Sequence, residues 1–491
     1  MLDIYAPVVH GIGVRDHKEF AEDSVRLIAD RLGGGEWSRR ECPRGCDGFA
    51  DGHVHLVDAR ARTLVVDPLT WYAEIRQPTR WRAAWWFLRA LFVLCAVHLL
   101  VNGQVLLQAP TLSTWPRYIG RALRAMAWIL FLGSLAIALA VPLTLAVALI
   151  PRARWLATDA LGWTSDPETR TKVIELVTNR VMTTRAKHTV VIGHSQGGAI
   201  AANAAHRLDP DSTTLVTLGS GQALLAPIRA SLSVPWGSFA ALVVAIVVYV
   251  AAAVAIMRTL LAGAIALVAA TIRALVHLLR ALMDPSRAAD HVDAAADGFA
   301  DAVGELALSP WLLVVAVAVP VIAVTVLVYA RLLAPAVRGM RELMRPAVPG
   351  VDLCARFDGV SHPFTVLGSP DRVVKITQSA SVFDHVLYFD NEIEVLSEID
   401  RWITGAGSAA PAPRATAARR RIRHRVRALR LCRAALVLAA IVTAFAFGFG
   451  TGPAIALGAC VYAAMTVVKR IVWGRAQRGR AGTRSLTRLP N

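Results

Sequence analysis

The sequence predicts an α/β domain, whose sheet has helices on both faces, joined to an all-α transmembrane region of about six spans. One observation is local: a strand, a Gly-x-Ser-x-Gly turn and a helix follow one another between residues 189 and 205. The other is compositional, because 55% of the 491 residues are hydrophobic, 18% are charged and the mean hydropathy is +0.48. A soluble chain of this length rarely has such a composition.

The N-terminal segment predicts a buried strand that ends in a glycine turn. The apolar run Ile4–Val9 continues into His10-Gly11-Ile12-Gly13. A strand that enters a His-Gly turn can direct a backbone N–H, here that of Gly11 or Ile12, toward a developing oxyanion. An ordinary glycine turn after a strand is the alternative interpretation.

The next segment predicts a hairpin and leaves open a metal site. Residues 53–58 alternate in polarity and residues 63–66 are apolar, as in paired strands. Zinc ligands of the usual types also occur here, in Cys42, Cys46, His53 and His55. Their spacing is loose, and the two histidines alternate as strand residues do, so we favour a glycine-rich loop beside the hairpin.

The sharp turn between residues 193 and 198 is the strongest signal for chemistry. It consists of Gly193-His194-Ser195-Gln196-Gly197-Gly198, after an apolar strand and before an alanine-rich helix. The glycines permit a strained turn that lifts the Ser195 hydroxyl above the sheet. The N–H of Gln196 begins the helix, where it can stabilise an oxyanion. A glycine-rich turn with an idle serine is the alternative.

A serine nucleophile needs a base, and the base needs an acid to orient it. Residues 351–357 predict a strand that ends at Asp358, and His385 follows 27 residues later, before a helical pattern over 392–403. The order Ser, Asp, His is the one usual for such a turn. Other acids that the residues leave open are Asp352, Asp371 and Asp384.

These motifs together resemble the α/β-hydrolase superfamily, specifically its lipase-like serine esterases, here with inserted transmembrane hairpins. The resemblance implies an α/β-hydrolase sheet, Ser195 as nucleophile, His385 as general base and Asp358 as orienting acid. It also implies an oxyanion hole from Gln196 and Gly11 or Ile12, and no metal or organic cofactor. The expected substrate is an ester or thioester, for example that of a lipid, and acyl transfer would use the same residues. The usual first strands of that sheet are absent or are supplied by residues 54–66.

Six apolar stretches predict membrane spans, because most can cross about 30 Å of hydrocarbon. They are residues 85–107, 125–150, 236–257, 311–329, 434–449 and 453–472. Residues 259–283 carry polar side chains at helical spacing, which favours an amphipathic helix over a span. Six spans form three hairpins, so the chain returns to the same side of the bilayer each time and the catalytic segments share that side.

The predicted division follows from those hairpins. The hydrolase core comprises residues 1–80, 152–230 and 346–405, and hairpins fill 81–151 and 231–345. A basic linker covers 406–433, and a third hairpin with a basic tail covers 434–491.

Arginines beside the spans predict a multi-pass cell-membrane protein, with the catalytic domain, both termini and reduced thiols in the cytoplasm. They also account for the net charge of +18, so we expect a lipid bilayer and no nucleic acid as partner. The sequence does not indicate an oligomeric state. The main rival class is a catalytically inactive, hydrolase-like membrane scaffold or regulator. A transporter is disfavoured, because the spans lack paired charges.

Overall fold

The computed structural model describes most of the first 307 residues and a smaller part of the rest. The described ranges are 2–11, 17–33, 36–42, 48–75, 78–107, 140–232, 235–307, 347–355, 373–376 and 391–405, with short stretches or single positions at 118, 121, 316–317, 320–321, 324, 331, 358, 360, 385, 388–389 and between 428 and 465. The chain forms two compact units. The first comprises Met1–Ala83, Pro151–Arg229 and Gly339–Asn491, and the second comprises Ala84–Ile150 and Ala230–Arg338.

The first unit contains a mixed sheet of eight described strands, in the order β2-β3-β4-β1-β5-β6-β7-β8. In this order, every neighbouring pair from β4 across β1 to β8 is parallel, and the pairs β2–β3 and β3–β4 are antiparallel. The strands are β1 Ile4–Val9, β2 Trp37–Arg40, β3 Val54–Asp58, β4 Thr63–Leu69, β5 His188–His194, β6 Thr213–Leu218, β7 Gly350–Ala355 and β8 Val373–Ile376. Residues 54–66 thus supply strands to the sheet.

Helices cover the sheet and make up the described part of the second unit. All six residues of β1 are buried, so both faces of the sheet are covered at this strand. Apolar runs such as β1 and β5 suit parallel strands that are buried on both sides. The described α-helices are α1 His17–Gly33, α2 Arg80–Leu107, α3 Pro151–Ser165, α4 Pro167–Thr184, α5 Gln196–Ala205, α6 Gln222–Ser231, α7 Trp236–Met283, α8 Ala288–Ala307 and α9 Ser397–Ile403.

The prediction of a transmembrane region with about six spans is wrong. Within the described ranges, we find no helix with both the length and the apolar character that a membrane crossing requires. Three of the predicted spans, at 311–329, 434–449 and 453–472, lie largely outside the described residues, as does much of 125–150. Residues 259–283 are helical as predicted but do not form a separate helix, because α7 continues unbroken from Trp236 to Met283. Only Arg258 separates the two predicted segments, and an arginine, unlike glycine or proline, does not end a helix.

Packing against protein explains part of the apolar composition that favoured spans. In α2, the side chains of Trp86, Phe92 and Val93 are buried. Arg89 is buried as well, and its guanidinium lies 5.0 Å from the ring centre of Trp236. Hydropathy does not distinguish burial in lipid from burial against protein, and these three apolar side chains of α2 are buried against protein.

Candidate active site

Ser195 occupies a strained turn between β5 and α5. Its φ of 56° and ψ of −124° place a non-glycine residue in a region that L-amino acids seldom adopt. Two backbone hydrogen bonds hold the turn, because the Ser195 N–H donates to the Leu218 carbonyl at 2.9 Å and the Gly221 N–H donates to the Ser195 carbonyl at 2.9 Å. The side chain is therefore fixed at the end of β5, beside the N-terminus of α5.

Glycines make this turn possible because the backbone packs closely around it. A Cβ atom on Gly197 would overlap with the carbonyl oxygens of Val9 and His10 at the end of β1. A Cβ atom on Gly193 would lie 2.6 Å from the Gly197 carbonyl oxygen. A Cβ atom on Gly198 would lie 3.1 Å from the Cα atom of Ser220. The glycines of the Gly-x-Ser-x-Gly motif thus permit α5 to begin directly against β1.

The structure brings Ser195, His385 and Asp358 into one hydrogen-bonded chain. The Ser195 Oγ lies 2.7 Å from His385 Nε2, and His385 Nδ1 lies 2.8 Å from Asp358 Oδ2. Asp358 is fully buried and Ser195 is 3% exposed. With Nδ1 protonated, the imidazole donates to the carboxylate and accepts from the serine hydroxyl. This arrangement can deprotonate the serine as it attacks a carbonyl carbon.

Tyr388 is a part of the site that sequence reasoning missed. Its hydroxyl donates to Asp358 Oδ2 at 2.9 Å and accepts from the backbone N–H of Ala355 at 2.8 Å. The N–H of Val360 donates to the other carboxylate oxygen of Asp358 at 2.8 Å. A buried tyrosine hydroxyl nearly always has a partner, so Tyr388, three residues after His385, offered a signal for the position of the acid.

Replacing Tyr388 by phenylalanine should lower kcat for the ester hydrolysis that the sequence motifs predict by about tenfold at an unchanged KM, since Asp358 keeps its other partners but loses one that fixes its orientation. The free energy of unfolding should fall by about 1–3 kcal/mol, because the Ala355 N–H is left buried and unpaired. Steady-state kinetics and denaturant melts measure the two effects separately. A stability loss with kcat intact would show that Tyr388 only supports the fold.

Of the three alternative acids, the structure describes Asp352, which hydrogen-bonds to Thr217 instead of His385. The Asp352 Oδ1 accepts from the Thr217 hydroxyl at 2.7 Å. Burial raises the pKa of Asp352 to about 6. Its place within β7, before the end of the strand, accounts for its different partner. Asp371 and Asp384 lie outside the described residues.

His194 contacts the backbone of His385 and supports the imidazole from one side. Its Nε2 lies 2.8 Å from the His385 carbonyl oxygen, and the two rings stack with centres 5.2 Å apart. A carbonyl only accepts, so this nitrogen carries the proton. Burial lowers the pKa of His194 to about 3, so the ring stays neutral at pH 7. His194 can therefore position His385 without placing a second positive charge beside it.

The two predicted donors of the oxyanion hole that the structure describes lie beside Ser195. Gln196 is buried as the first residue of α5, where the backbone N–H groups have no helical carbonyl partner. Gly11 approaches Ser195 so closely that a Cβ atom on it would lie 2.5 Å from the Ser195 Cβ. Ile12 lies outside the described residues. Preorganised N–H groups at such positions stabilise the negative charge of a tetrahedral intermediate.

Trp71 anchors the segment that carries Gly11. Its indole N–H donates to the His10 carbonyl at 2.9 Å, and its ring stacks on the His10 imidazole with centres 5.2 Å apart. Trp71 is fully buried. The end of β1 is thus held in place beside the serine before any substrate binds.

No family model matches this chain, and comparisons with curated proteins and with solved structures also found no match. The functional assignment therefore depends on the geometry of the site.

Proposed function

We propose that this chain is a serine hydrolase that cleaves a carboxylic ester or thioester. The observation that carries the proposal is the position of His385, whose two ring nitrogens lie within 2.8 Å of the Ser195 hydroxyl and the Asp358 carboxylate. The resemblance to lipase-like α/β-hydrolases supports it, as does the positive φ of Ser195. An idle serine has no need of a strained backbone or of a buried acid behind its histidine partner.

The proposed reaction has two halves. Ser195 Oγ attacks the carbonyl carbon while His385 Nε2 takes its proton, and Asp358 stabilises the resulting imidazolium. The N–H groups of Gln196 and Gly11 bind the oxyanion until it collapses and His385 protonates the leaving alcohol or thiol. Water, deprotonated by His385, then attacks the acyl-serine, and the carboxylic acid leaves as Ser195 regains its proton. An alcohol in place of water would give acyl transfer by the same residues.

We further propose a lipid ester as the substrate and a lipid surface as its source. The support comes from the C-terminal part of α7, where many large apolar side chains are exposed to solvent. Leu282 is 78% exposed and Met283 is 86% exposed. The exposed set comprises Ile272, Leu275, Val276, Leu278, Leu279, Leu282 and Met283. An exposed apolar surface of this kind is typical of regions that contact lipid or protein.

Labelling with a fluorophosphonate probe tests the proposal, because the probe phosphonylates only an activated serine. Wild-type protein should be labelled, Ser195→Ala should not, and Ser38→Ala should be labelled at the wild-type rate, since Ser38 is exposed on β2. An alkyl-linked probe should react faster than one with a polyether linker if the site accepts acyl chains. Labelling of Ser195→Ala at the wild-type rate would refute the assignment of the nucleophile.

A further inference from the structure

Three side chains that commonly bind metal ions meet at the outer edge of the sheet. They are Cys42, His53 and His55, whose potential ligand atoms all lie within 4.8 Å of one another. β2 and β3 form this edge, and β4 and β1 separate them from β5, which leads to Ser195. Cys42 is exposed and the two histidines are half-buried, so an ion from solvent can reach them. The cluster takes no part in the proposed hydrolysis.

The strand register explains why these residues meet. β2 and β3 are antiparallel, with Arg40 opposite His55. Continued by two residues, the same register brings Cys42 opposite His53. His53 and His55 are two residues apart, so their side chains point to the same face of the strand. The alternating polarity of residues 53–58, which predicted a hairpin, therefore also places His53 and His55 on the face where Cys42 lies.

The geometry of Cys42 and His53 is close to that of a tetrahedral zinc site. Their Sγ and Nε2 atoms are 3.4 Å apart. Zinc–sulfur and zinc–nitrogen bonds of ordinary length, at a tetrahedral angle, would separate these atoms by about 3.6 Å. His53 Nδ1 lies 2.7 Å from the Ala50 carbonyl oxygen and must donate to it, which leaves the lone pair of Nε2 directed at Cys42. Zinc-binding histidines usually have such a backbone partner on the second nitrogen.

The sulfur of Cys42 is oxidised in this structure. Cys42 is disulfide-bonded, contrary to the reduced thiols that the sequence predicts, whereas Cys95, Cys354, Cys432 and Cys460 are thiols. Cys46, the remaining member of the predicted zinc ligands, lies outside the described residues. A disulfide sulfur carries no charge, and the thiolate is the form that binds metal.

We propose that reduction of the Cys42 disulfide creates a zinc site from the Cys42 thiolate, His53 Nε2 and a ring nitrogen of His55, with water as the fourth ligand. A phosphine reductant supplies the two electrons: the phosphine and one water become phosphine oxide, and the two cysteines become thiols. Zinc then displaces the proton of the Cys42 thiol. The edge of the sheet would thus bind metal under reducing conditions and form a disulfide under oxidising ones.

Zinc titration of the full chain, reduced with a phosphine or left oxidised, tests this proposal against a competing chelator dye. We expect one zinc ion bound per reduced chain and at least tenfold weaker binding to the oxidised chain. His53→Gln, His55→Gln and Cys42→Ser should each weaken zinc binding by about tenfold or more. Cys432→Ser and His206→Gln are matched controls, since both positions are exposed, and should bind zinc as the wild type does.

Cobalt gives a second measurement that needs no variant. Reduced wild-type protein with Co²⁺ should show a thiolate-to-cobalt charge-transfer band, which the oxidised protein lacks. Zinc should also raise the Tm of the reduced protein only, because it binds the folded state. The proposal is overturned if the reduced chain binds no metal, or if metal binding is the same in the three ligand variants as in the controls.

Discussion

Replacing Ser195 or His385 by alanine should lower kcat for ester hydrolysis by about 10⁴–10⁶-fold, and the double variant should lose little more than either single one. The reason is that the two residues act as a unit. Without His385 the hydroxyl keeps its proton, and without Ser195 the imidazole has no nucleophile to activate. The 2.7 Å contact between Ser195 Oγ and His385 Nε2 is the basis of this expectation.

A double-mutant cycle on kcat measures the coupling, with pre-steady-state kinetics to detect the acyl-enzyme burst in the wild type. His206→Ala is a suitable control, because this histidine is exposed just after α5 and should leave kcat within about twofold. Losses that simply add on the free-energy scale would show that Ser195 and His385 act independently, and the two residues would then not be nucleophile and base.

The local part of the site could be predicted from the sequence because its determinants are adjacent along the chain. An apolar strand, close-packed glycines and a following helix specify the turn at Ser195 with little help from the rest of the fold. The contact of His385 with Ser195 spans 190 positions, and its expectation depended on the order of residues in a known family. The structure places the two residues within hydrogen-bonding distance, while their chemical roles remain predictions.

Features that depend on tertiary packing were missed or assigned wrongly. The position of Tyr388 near His385 was a weak signal, because its role arises only when the fold brings Asp358 and the end of β7 at Ala355 beside it. The transmembrane prediction failed because hydropathy treats every apolar helix alike, whereas Trp86 and Phe92 pack against protein. The proximity of Cys42 to His53 and His55 could not be predicted for a related reason, because the spacing of the cysteines does not reveal the register between β2 and β3.

The identity of the acid gives the last prediction, which compares Asp358→Asn with Asp352→Asn. Asp358→Asn should lower kcat by about 10⁴-fold. The amide nitrogen of the asparagine would donate to His385 Nδ1, so the ring would carry its proton on Nε2 and could not take the proton of Ser195. Asp352→Asn should cost less than about tenfold, because the amide oxygen still accepts from the Thr217 hydroxyl and the residue does not touch His385.

The effect of pH sharpens the comparison between these two carboxylates. Burial raises the pKa of Asp352 to about 6, so below that pH this side chain is already neutral and asparagine is close to isosteric with it. The pKa of this aspartate in the unfolded chain is 3.8, so the stability of the wild type should fall as the pH rises from about 4 to 6, whereas that of Asp352→Asn should not change. The variant should therefore match the wild type below about pH 4 and be the more stable protein above about pH 6. Asp358→Asn should stay inactive wherever the wild type is active. Denaturant melts that span both pKa values of Asp352 and rates near neutral pH measure the two effects. If Asp352→Asn instead suffers the 10⁴-fold loss while Asp358→Asn retains its rate, Asp352 is the residue that orients the base and the hydrogen bond from His385 to Asp358 is incidental.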